Sequence, residues 1–370
     1  MVDVYASTLV PLYPFIVQKL GINLAIISLV IGLAHLVSSM MQPFFGFLAD
    51  QNRHRIFMIF GIFCSALFIP STILTDTVWL FTLFFVLGIG GNALFHPQVT
   101  TLVSTFTHGG KNFTKYMGFF LGAGTIGYAL GPVCSTSLIN NFGIYSIFAL
   151  TIAGFLIAIS LYFAVPKIPL KSLHKSKISF PAIMKKIFGS PKMRGLTFIS
   201  VVKSIVSISF GTYMPFLLTK LGYSLEKIGI IITLFFTFAG LATMVSSKLE
   251  KRVGVKNLIR ISFLAVLPLT LAFLWLFNVN KTLGLFVFIL TGFFIFLSVS
   301  VTVVLAQRLI PEHRGVASGV TAGFSWGLAA VTLAPLGFFA QTVGVEKILI
   351  LVAALTFFAG IFAAKDYLNE

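Results

Sequence analysis

Long apolar runs, separated by short polar connections, follow one another along the whole chain. A run of about 20 apolar residues is long enough to cross the hydrocarbon core of a membrane as a helix. The runs are continuous and do not alternate between apolar and polar positions, which argues against a β-barrel. The pattern predicts twelve helices, over residues 2–20, 22–48, 56–75, 77–103, 115–139, 144–165, 195–220, 225–248, 257–277, 282–307, 315–341 and 345–365.

The composition leads to the same fold class. Apolar residues make up 58% of the 370 positions and charged residues only 9%, whereas a soluble domain has about 25% charged residues. A water-soluble enzyme could not hide so much apolar surface. Cys64 and Cys134 lie in apolar runs and are expected to pack as small hydrophobic residues. We therefore predict an all-α polytopic membrane protein with twelve transmembrane helices.

The basic residues orient the helices. Of the 26 Lys and Arg residues, twenty lie in the even-numbered connections and the carboxyl-terminal tail, and five lie in the odd-numbered connections. Positive residues mark the cytoplasmic side. We expect both termini to be cytoplasmic and the protein to lie in the cytoplasmic (inner) membrane of the cell. The net charge of +17 would then face anionic lipid headgroups and not a nucleic acid.

The longest connection divides the chain into two six-helix bundles, residues 1–165 and 195–370. Within this linker (166–194), Ser179-Phe180-Pro181 is a typical helix start, and apolar residues follow at helical spacing. This pattern suits a helix on the inner membrane surface and equally a linker helix packed on the bundle.

The two bundles are internal repeats. Pro14-Phe15 and Lys19-Leu20-Gly21 recur 201 residues later as Pro215-Phe216 and Lys220-Leu221-Gly222. Parallel repeats of this kind are typical of transporters in which a central site is exposed alternately to the two sides.

A motif between helices two and three resembles the signature loop of the major facilitator superfamily. Residues 46–55 read Gly-Phe-Leu-Ala-Asp-Gln-Asn-Arg-His-Arg, and the second copy is degraded, with Lys251 in the Asp position. The resemblance implies the fold of that superfamily and a role for this loop as a conformational latch between helices. A static ion pair between Asp50 and nearby arginines is the alternative. The candidate latch residues are Gly46, Asp50, Arg53, Arg55 and Arg252.

Further segments resemble the fosmidomycin-resistance group of that superfamily. They are Leu12-Tyr13-Pro14, residues 38–43, Leu94-Phe95-His96-Pro97, residues 118–132 and residues 306–311. This resemblance implies a drug or small-molecule exporter driven by protons. The Glu that often follows His-Pro in the group is Gln98 here.

Ionisable residues inside membrane helices cost about 2.5–3.5 kcal/mol on insertion scales and are functional candidates by default. Here they are Asp3, His35, His96 and Lys203. At ~1.5 Å per helical residue, Asp3, His96 and Lys203 lie at one depth. In the implied fold, helices one, four, seven and ten line the cavity. We hypothesise that Asp3 carries the proton, Lys203 competes for Asp3, and His96 assists, with Gln98 as a further cavity candidate.

Each of these residues has a structural alternative. Asp3 would sit in the inner headgroup zone, Lys203 would extend to that interface, and His96 would satisfy a backbone carbonyl freed by Pro97. A packing role is expected for His35, and a helix cross-link is an alternative for Gln98.

Helix five carries Gly127, Gly131 and Pro132, which resemble the core of the antiporter motif of the superfamily. Small residues permit close helix contact, and Pro132 introduces a kink; both features suit exporters and uptake systems.

The sequence contains no nucleotide-binding loop, because the glycine-rich residues 88–91 lie inside a span and lack the required Lys-Ser/Thr. We expect no cofactor, no metal and no enzymatic activity.

The leading hypothesis is a monomeric secondary active transporter that couples proton entry to efflux of a small organic molecule by alternating access. Its partners would be that substrate, protons and membrane lipids. Two alternatives stay open. One is an uptake permease for a small anionic metabolite, with Lys203 as the anion contact, and the other is a transport-inactive membrane sensor on the same scaffold.

Overall fold

The fold is helical throughout the part of the chain that the computed structural model describes, residues 1–51, 55–106, 113–164 and 179–362. Within these ranges eight helices are long and apolar enough to cross a membrane, or nine when the bent pair Arg314–Val331 and Leu333–Val343 counts as one. The predicted all-α polytopic membrane fold is confirmed. The side chains of Asp50 and Gln51 lie outside the described part.

The helices of the first six spans are named α1–α6. Their bounds are Val2–Thr8, Val10–Leu12 and Tyr13–Lys19 for α1, Leu24–Gln51 for α2, Arg55–Ser71 with Thr72–Leu74 for α3, Val78–Phe106 for α4, Phe113–Phe142 for α5, and Ile144–Ile147 with Phe148–Ala164 for α6.

A linker helix, Phe180–Gly189, precedes the second group of spans, α7–α12. Leu225–Leu264 changes direction at Gly254 and, with Val266–Val279, makes α8 (225–253) and α9 (255–279). The other bounds are Pro191–Lys220 for α7, Lys281–Phe296 with Val299–Leu309 for α10, Arg314–Ser318, Gly319–Phe324, Ser325–Val331 and Leu333–Val343 for α11, and Val345–Phe362 for α12.

Several spans differ locally from the continuous helices predicted, most clearly α1 and α11. In α1, a 3₁₀ turn at Val10–Leu12 separates two α-helical pieces, because Pro11 and Pro14 offer no N–H to the helix ladder. In α11, residues 319–324 form a π-helical turn.

The turn between α8 and α9 lies at Gly254. Its φ is 79°, a conformation that glycine adopts readily, and this turn lets α9 reverse direction after α8.

The N-terminal half (α1–α6) and the C-terminal half (α7–α12) contact each other chiefly through α2 with α11 and α5 with α8. These contacts run from one end of the helices to the other. At the predicted cytoplasmic end, Gly46 packs on the backbone of Gly315, and at the predicted outer end Gly32 packs on the backbone of Ala330. The two halves therefore touch at both ends of the α2–α11 pair in this structure.

The linker helix packs on the bundle at the predicted cytoplasmic end. Ile183 and Ile187 are fully buried in a cluster with residues of α7, α10 and α11. On the other side, the ring of Phe180 lies 5.7 Å from that of Phe47 in α2. The linker helix thus touches both halves.

An ion pair adds a polar contact to this packing. Lys186 Nζ lies 3.5 Å from Glu312 Oε2 in the connection between α10 and α11. A backbone hydrogen bond, together with the nearby Lys186 ammonium, lowers the pKa of Glu312 below its ordinary value. The Glu312 carboxylate is therefore ionised at neutral pH and available to the lysine.

Candidate functional site

A carboxylate and an imidazole meet inside the N-terminal half. Asp3 is near the start of α1, and His96 lies in α4 directly before Pro97. Asp3 Oδ1 is 3.1 Å from His96 Nε2, and the two side chains are 15% and 26% exposed. The pair is thus mostly buried but not sealed. A buried carboxylate next to an imidazole can hold a proton on either partner and exchange it when water reaches the pair.

The glycines of α5 make room for Asp3. A Cβ on Gly124 would lie 3.2 Å from Asp3 Oδ2, and a Cβ on Gly127 would lie 3.9 Å from Asp3 Cβ. One turn further, Gly131 packs on the backbone of α1, where an added Cβ would lie 3.0 Å from Thr8 N. Here Gly127 and Gly131 let α1 approach α5 closely, as small residues do in membrane helices.

The opposite face of α5 contacts the C-terminal half. Gly122 faces Gly240 of α8, and a Cβ on Gly122 would lie 2.9 Å from the Gly240 carbonyl oxygen. Gly118 packs in the same way on Thr243, because a Cβ on Gly118 would lie 3.2 Å from the Thr243 carbonyl oxygen. The glycines of α5 therefore serve two interfaces, one with α1 and one with α8.

The α5 backbone around Pro132 accepts hydrogen bonds from two neighbouring helices. Proline has no N–H, so the Tyr128 carbonyl four residues earlier loses its helical donor, and Ser7 Oγ of α1 donates to it at 2.5 Å. On the other side, Thr233 Oγ1 of α8 donates to the Ala129 carbonyl at 2.7 Å. The same Thr233 oxygen accepts from Val133 N at 3.2 Å. The hydroxyl of Thr233 thus bridges two backbone groups of α5 across the interface between the halves.

Thr233→Val, which removes this hydroxyl but keeps the side-chain shape, is expected to destabilise the protein by about 0.5–2 kcal/mol, the range measured for polar contacts between membrane helices. Thr233→Ser should lose less, because it keeps the donor. Reversible unfolding of the purified protein in mixed detergent measures the difference. Thr237→Val is the matched control, because the Thr237 hydroxyl donates within α8, to the Thr233 carbonyl oxygen at 2.8 Å. Equal losses in both valine variants would contradict a role across the interface.

Lys203 lies on α7, is 5% exposed, and forms no ion pair with Asp3 in this structure. The carboxylate of Asp3 is paired with His96 instead. The hypothesised pairing of Lys203 with Asp3 is therefore not seen in this structure, whereas Asp3 does contact His96, the residue expected to assist it.

The other two polar residues that the sequence singles out within the spans, His35 and Gln98, contact neighbouring helices. His35 is 9% exposed, and its ring lies 6.0 Å from that of Trp326 in α11, across the interface between the halves. Gln98 is buried, and its Nε2 donates to the Phe45 carbonyl of α2 at 3.2 Å. In this structure Gln98 cross-links two helices of the N-terminal half.

The candidate latch residues lie around the connection between α2 and α3. Gly46 is buried against Gly315, while Arg53 and the side chain of Asp50 lie outside the described residues. Arg55 Nη1 donates to the Tyr162 carbonyl of α6 at 3.1 Å, and its guanidinium lies 4.7 Å above the Tyr162 ring. Arg252 is exposed at the predicted cytoplasmic end of α8.

Sequence reasoning did not single out Thr233 or Ser7. A signal for Thr233 exists, because small residues recur in α8 at helical spacing, as Gly229, Thr233, Thr237 and Gly240. This spacing is typical of closely packed membrane helices. It indicates a packing face but not the partner helix.

Comparison with known proteins identifies what this arrangement is similar to. The family model described as Major Facilitator Superfamily matches residues 2–333. The Fosmidomycin resistance protein of Escherichia coli K12 is 24% identical over 351 residues, which cover 94% of this chain and 85% of that protein. The Multidrug resistance protein MdtG of Citrobacter koseri is 24% identical over 71% of this chain and 68% of its own length.

A solved structure has the same fold. The crystal structure of a mutant of the nucleoside transporter NupG superposes with a TM-score of 0.74 and 15% sequence identity, over 99% of this chain and 96% of that one. At this identity the likeness concerns the fold alone.

Proposed function

The chain belongs to the Major Facilitator Superfamily, and from this premise we propose that it exports a small organic molecule in exchange for protons. As a member of this superfamily it is a multi-span membrane transporter. Efflux is supported by the relatives whose names refer to resistance, the Fosmidomycin resistance protein and MdtG. Proton coupling is supported by the Asp3–His96 pair, which is the observation that carries the proposal.

The Asp3–His96 pair suits proton coupling because the proton affinity of a carboxylate depends on its burial and on the groups next to it. A carboxylate beside an apolar wall has a raised proton affinity, and a neighbouring cation lowers it. A proton drives a conformational change only if it binds one conformation better than the other. In this structure, Asp3 Oδ1 lies 3.1 Å from His96 Nε2. A movement of α1 relative to α4 would lengthen this distance and change the proton affinity of Asp3.

The interface between the halves suits alternating access. Both α2–α11 and α5–α8 are held by glycine contacts, for example at Gly46 and Gly32 of α2, which lie toward opposite ends of that helix. Opening at one end requires separation of the helices there, while the contacts at the other end persist. In this proposal the superfamily loop around Asp50 stabilises the closed state at the cytoplasmic end.

The proposed orientation places both termini and the linker helix in the cytoplasm. The two ends of α9 test it, because Asn257 and Asn278 are both exposed and lie at opposite ends of that helix. In a variant with Cys64 and Cys134 replaced by Ser, a membrane-impermeant maleimide applied to intact cells should label Asn278→Cys and not Asn257→Cys. Labelling of Asn257→Cys alone would reverse the orientation.

A substrate screen tests the proposed efflux. Expression in a strain that lacks its own exporters should raise resistance to at least one compound and lower its accumulation. Fosmidomycin is a reasonable first candidate because of the name of the Escherichia coli relative. A transport-inactive sensor would give no flux in proteoliposomes with any compound of the screen.

Uptake of an anionic metabolite is the second candidate function, because Lys203 is buried without a carboxylate partner among the described residues. The sign of the dependence on the pH gradient separates it from efflux. A proton antiporter accumulates substrate in vesicles with an acidic lumen, whereas a proton symporter does so in vesicles with an alkaline lumen.

A further inference from the structure

Lys203 is a buried cation that has no counter-ion in the described part of the protein. It lies in the middle of α7 and is 5% exposed. The ion pairs among the described residues involve Lys19, Lys186, Lys220 and His96, and none involves Lys203.

The carboxylates whose side chains the structure describes all have other partners. Asp3 and Asp76 belong to the N-terminal half, and the four glutamates lie at helix ends or, for Glu312, in a connection of the C-terminal half. The contact partners are His96 for Asp3, Lys19 for Asp76, Asn140 for Glu226, Lys186 for Glu312 and Lys220 for Glu346. Glu250 lies in the field of the positive charges of Arg308 and Lys251. None of them neutralises Lys203.

Two hydroxyl groups beside Lys203 also lack a partner. Ser200 and Ser204 are 0% exposed, and neither Oγ has a hydrogen-bond partner among the described residues. Lys203 and Ser204 follow Ser200 by three and four residues, so the three side chains share one side of the helix. In contrast, Ser207 is satisfied within α7, because it donates to the Lys203 carbonyl at 2.9 Å.

An anion would satisfy all three groups at once. A buried ammonium without a partner is costly, and a hydroxyl that loses its water without gaining a hydrogen bond is costly too. A carboxylate, phosphate or phosphonate accepts charge-assisted hydrogen bonds from both kinds of donor. Because the ammonium and the hydroxyls come from one helix, the site needs no other element to bring its donors together.

We propose that Lys203, Ser200 and Ser204 bind the anionic group of the transported substrate, which is therefore a small organic anion. The proposal rests on the transporter function proposed above and adds the substrate class. It also separates two tasks, with proton binding at Asp3–His96 in the N-terminal half and anion binding on α7 in the C-terminal half.

Thermal unfolding of the purified protein in detergent tests the anion site without a membrane or a gradient. The probes are acetate and methylphosphonate as anions and acetamide as a neutral molecule of similar size, all at equal ionic strength adjusted with chloride salts. A ligand at about ten times its Kd should raise the unfolding midpoint by about 2–4 °C. We expect this shift with at least one anion and not with acetamide, and the anion with the larger shift identifies the group that the site prefers.

The shift should disappear in Lys203→Met and persist in Lys203→Arg. Lys281→Met, which removes an exposed lysine at the start of α10, is the matched control and should keep it. The double variant Ser200→Ala/Ser204→Ala retains the charge and should reduce the shift, so the proposal is testable even if Lys203→Met does not fold. An equal shift in wild type and in both the methionine and alanine variants would overturn the proposal, as would no shift with either anion.

The test separates this proposal from proton coupling. Asp3→Asn should keep the full anion shift, because Asp3 lies in the other half and is paired with His96. Loss of the shift in Asp3→Asn would overturn the separation of the two tasks. A missing shift in wild type with intact proton-driven transport would refute the anion site alone.

Discussion

Asp3→Asn is expected to abolish transport driven by a pH gradient while leaving exchange of substrate across the membrane measurable. Asparagine keeps the size of the side chain and its contacts with the glycines of α5, but it cannot take up a proton. Substrate exchange at equal pH needs only the movement of the loaded protein and no net proton transfer. Flux in proteoliposomes, with and without an imposed gradient, measures both activities.

Asp76→Asn is the matched control for this substitution. Asp76 is also paired, with Lys19 Nζ at 3.2 Å, but its side chain is 84% exposed at the predicted outer end. Surface ion pairs of this kind contribute about 0–1 kcal/mol, so the variant should transport as wild type does. If Asp3→Asn accumulated substrate in response to a pH gradient as strongly as the wild-type protein does, Asp3 would not be the proton carrier.

Gly46→Ala is expected to shift the protein toward a state that is open at the predicted cytoplasmic end. A Cβ on Gly46 would lie 2.6 Å from the Gly315 carbonyl carbon and 3.0 Å from Val316 N. Because both are backbone atoms, no side-chain rotation relieves the clash, and α2 must separate from α11. Overpacking costs about 1–3 kcal/mol, which changes the ratio of closed to open molecules by about 5- to 150-fold. Transport should fall accordingly, because closure at this end becomes limiting.

Gly32→Ala should act in the opposite direction. Its added Cβ would lie 2.7 Å from the Ala330 carbonyl oxygen at the other end of the same helix pair, so the clash favours opening at the predicted outer end. Gly90→Ala is the control, because no atom of the described residues lies within 4 Å of a Cβ at that position in α4.

Distances between spin labels measure these shifts directly. Labels at Lys115 and Lys248 report the predicted cytoplasmic ends of α5 and α8, and labels at Asn141 and Lys227 report their predicted outer ends; all four residues are exposed. Gly46→Ala should lengthen the first distance and Gly32→Ala the second. The same change in both variants would mean that the two contacts do not control opposite ends.

The sequence predicted the helices well because a continuous apolar run of this length satisfies its backbone hydrogen bonds in a membrane only as an α-helix. It also placed Asp3 and His96 at one depth, since depth follows from counting residues along a helix. It did not determine which ionisable groups meet, because that depends on the rotation of each helix and on its neighbours. For this reason the pairing of Asp3 with His96, and the lack of a carboxylate partner for Lys203 in the described part of the chain, became visible only in the structure.

The contact of Thr233 with the α5 backbone was beyond sequence reasoning for a related reason. A missing N–H at Pro132 can be read from the sequence, and it predicts an unsatisfied carbonyl at Tyr128. Many serines and threonines of the chain are candidates to satisfy such groups. Only the packing of α1 and α8 against α5 selects Ser7 and Thr233.

Proton-coupled exchange is the central claim, and flux of the screened substrate into proteoliposomes of wild-type protein tests it most directly. Vesicles with an acidic lumen should accumulate the substrate above its external concentration, and an ionophore that exchanges protons for potassium should release it. Accumulation that is independent of the gradient, or that requires an alkaline lumen, would contradict proton-driven export.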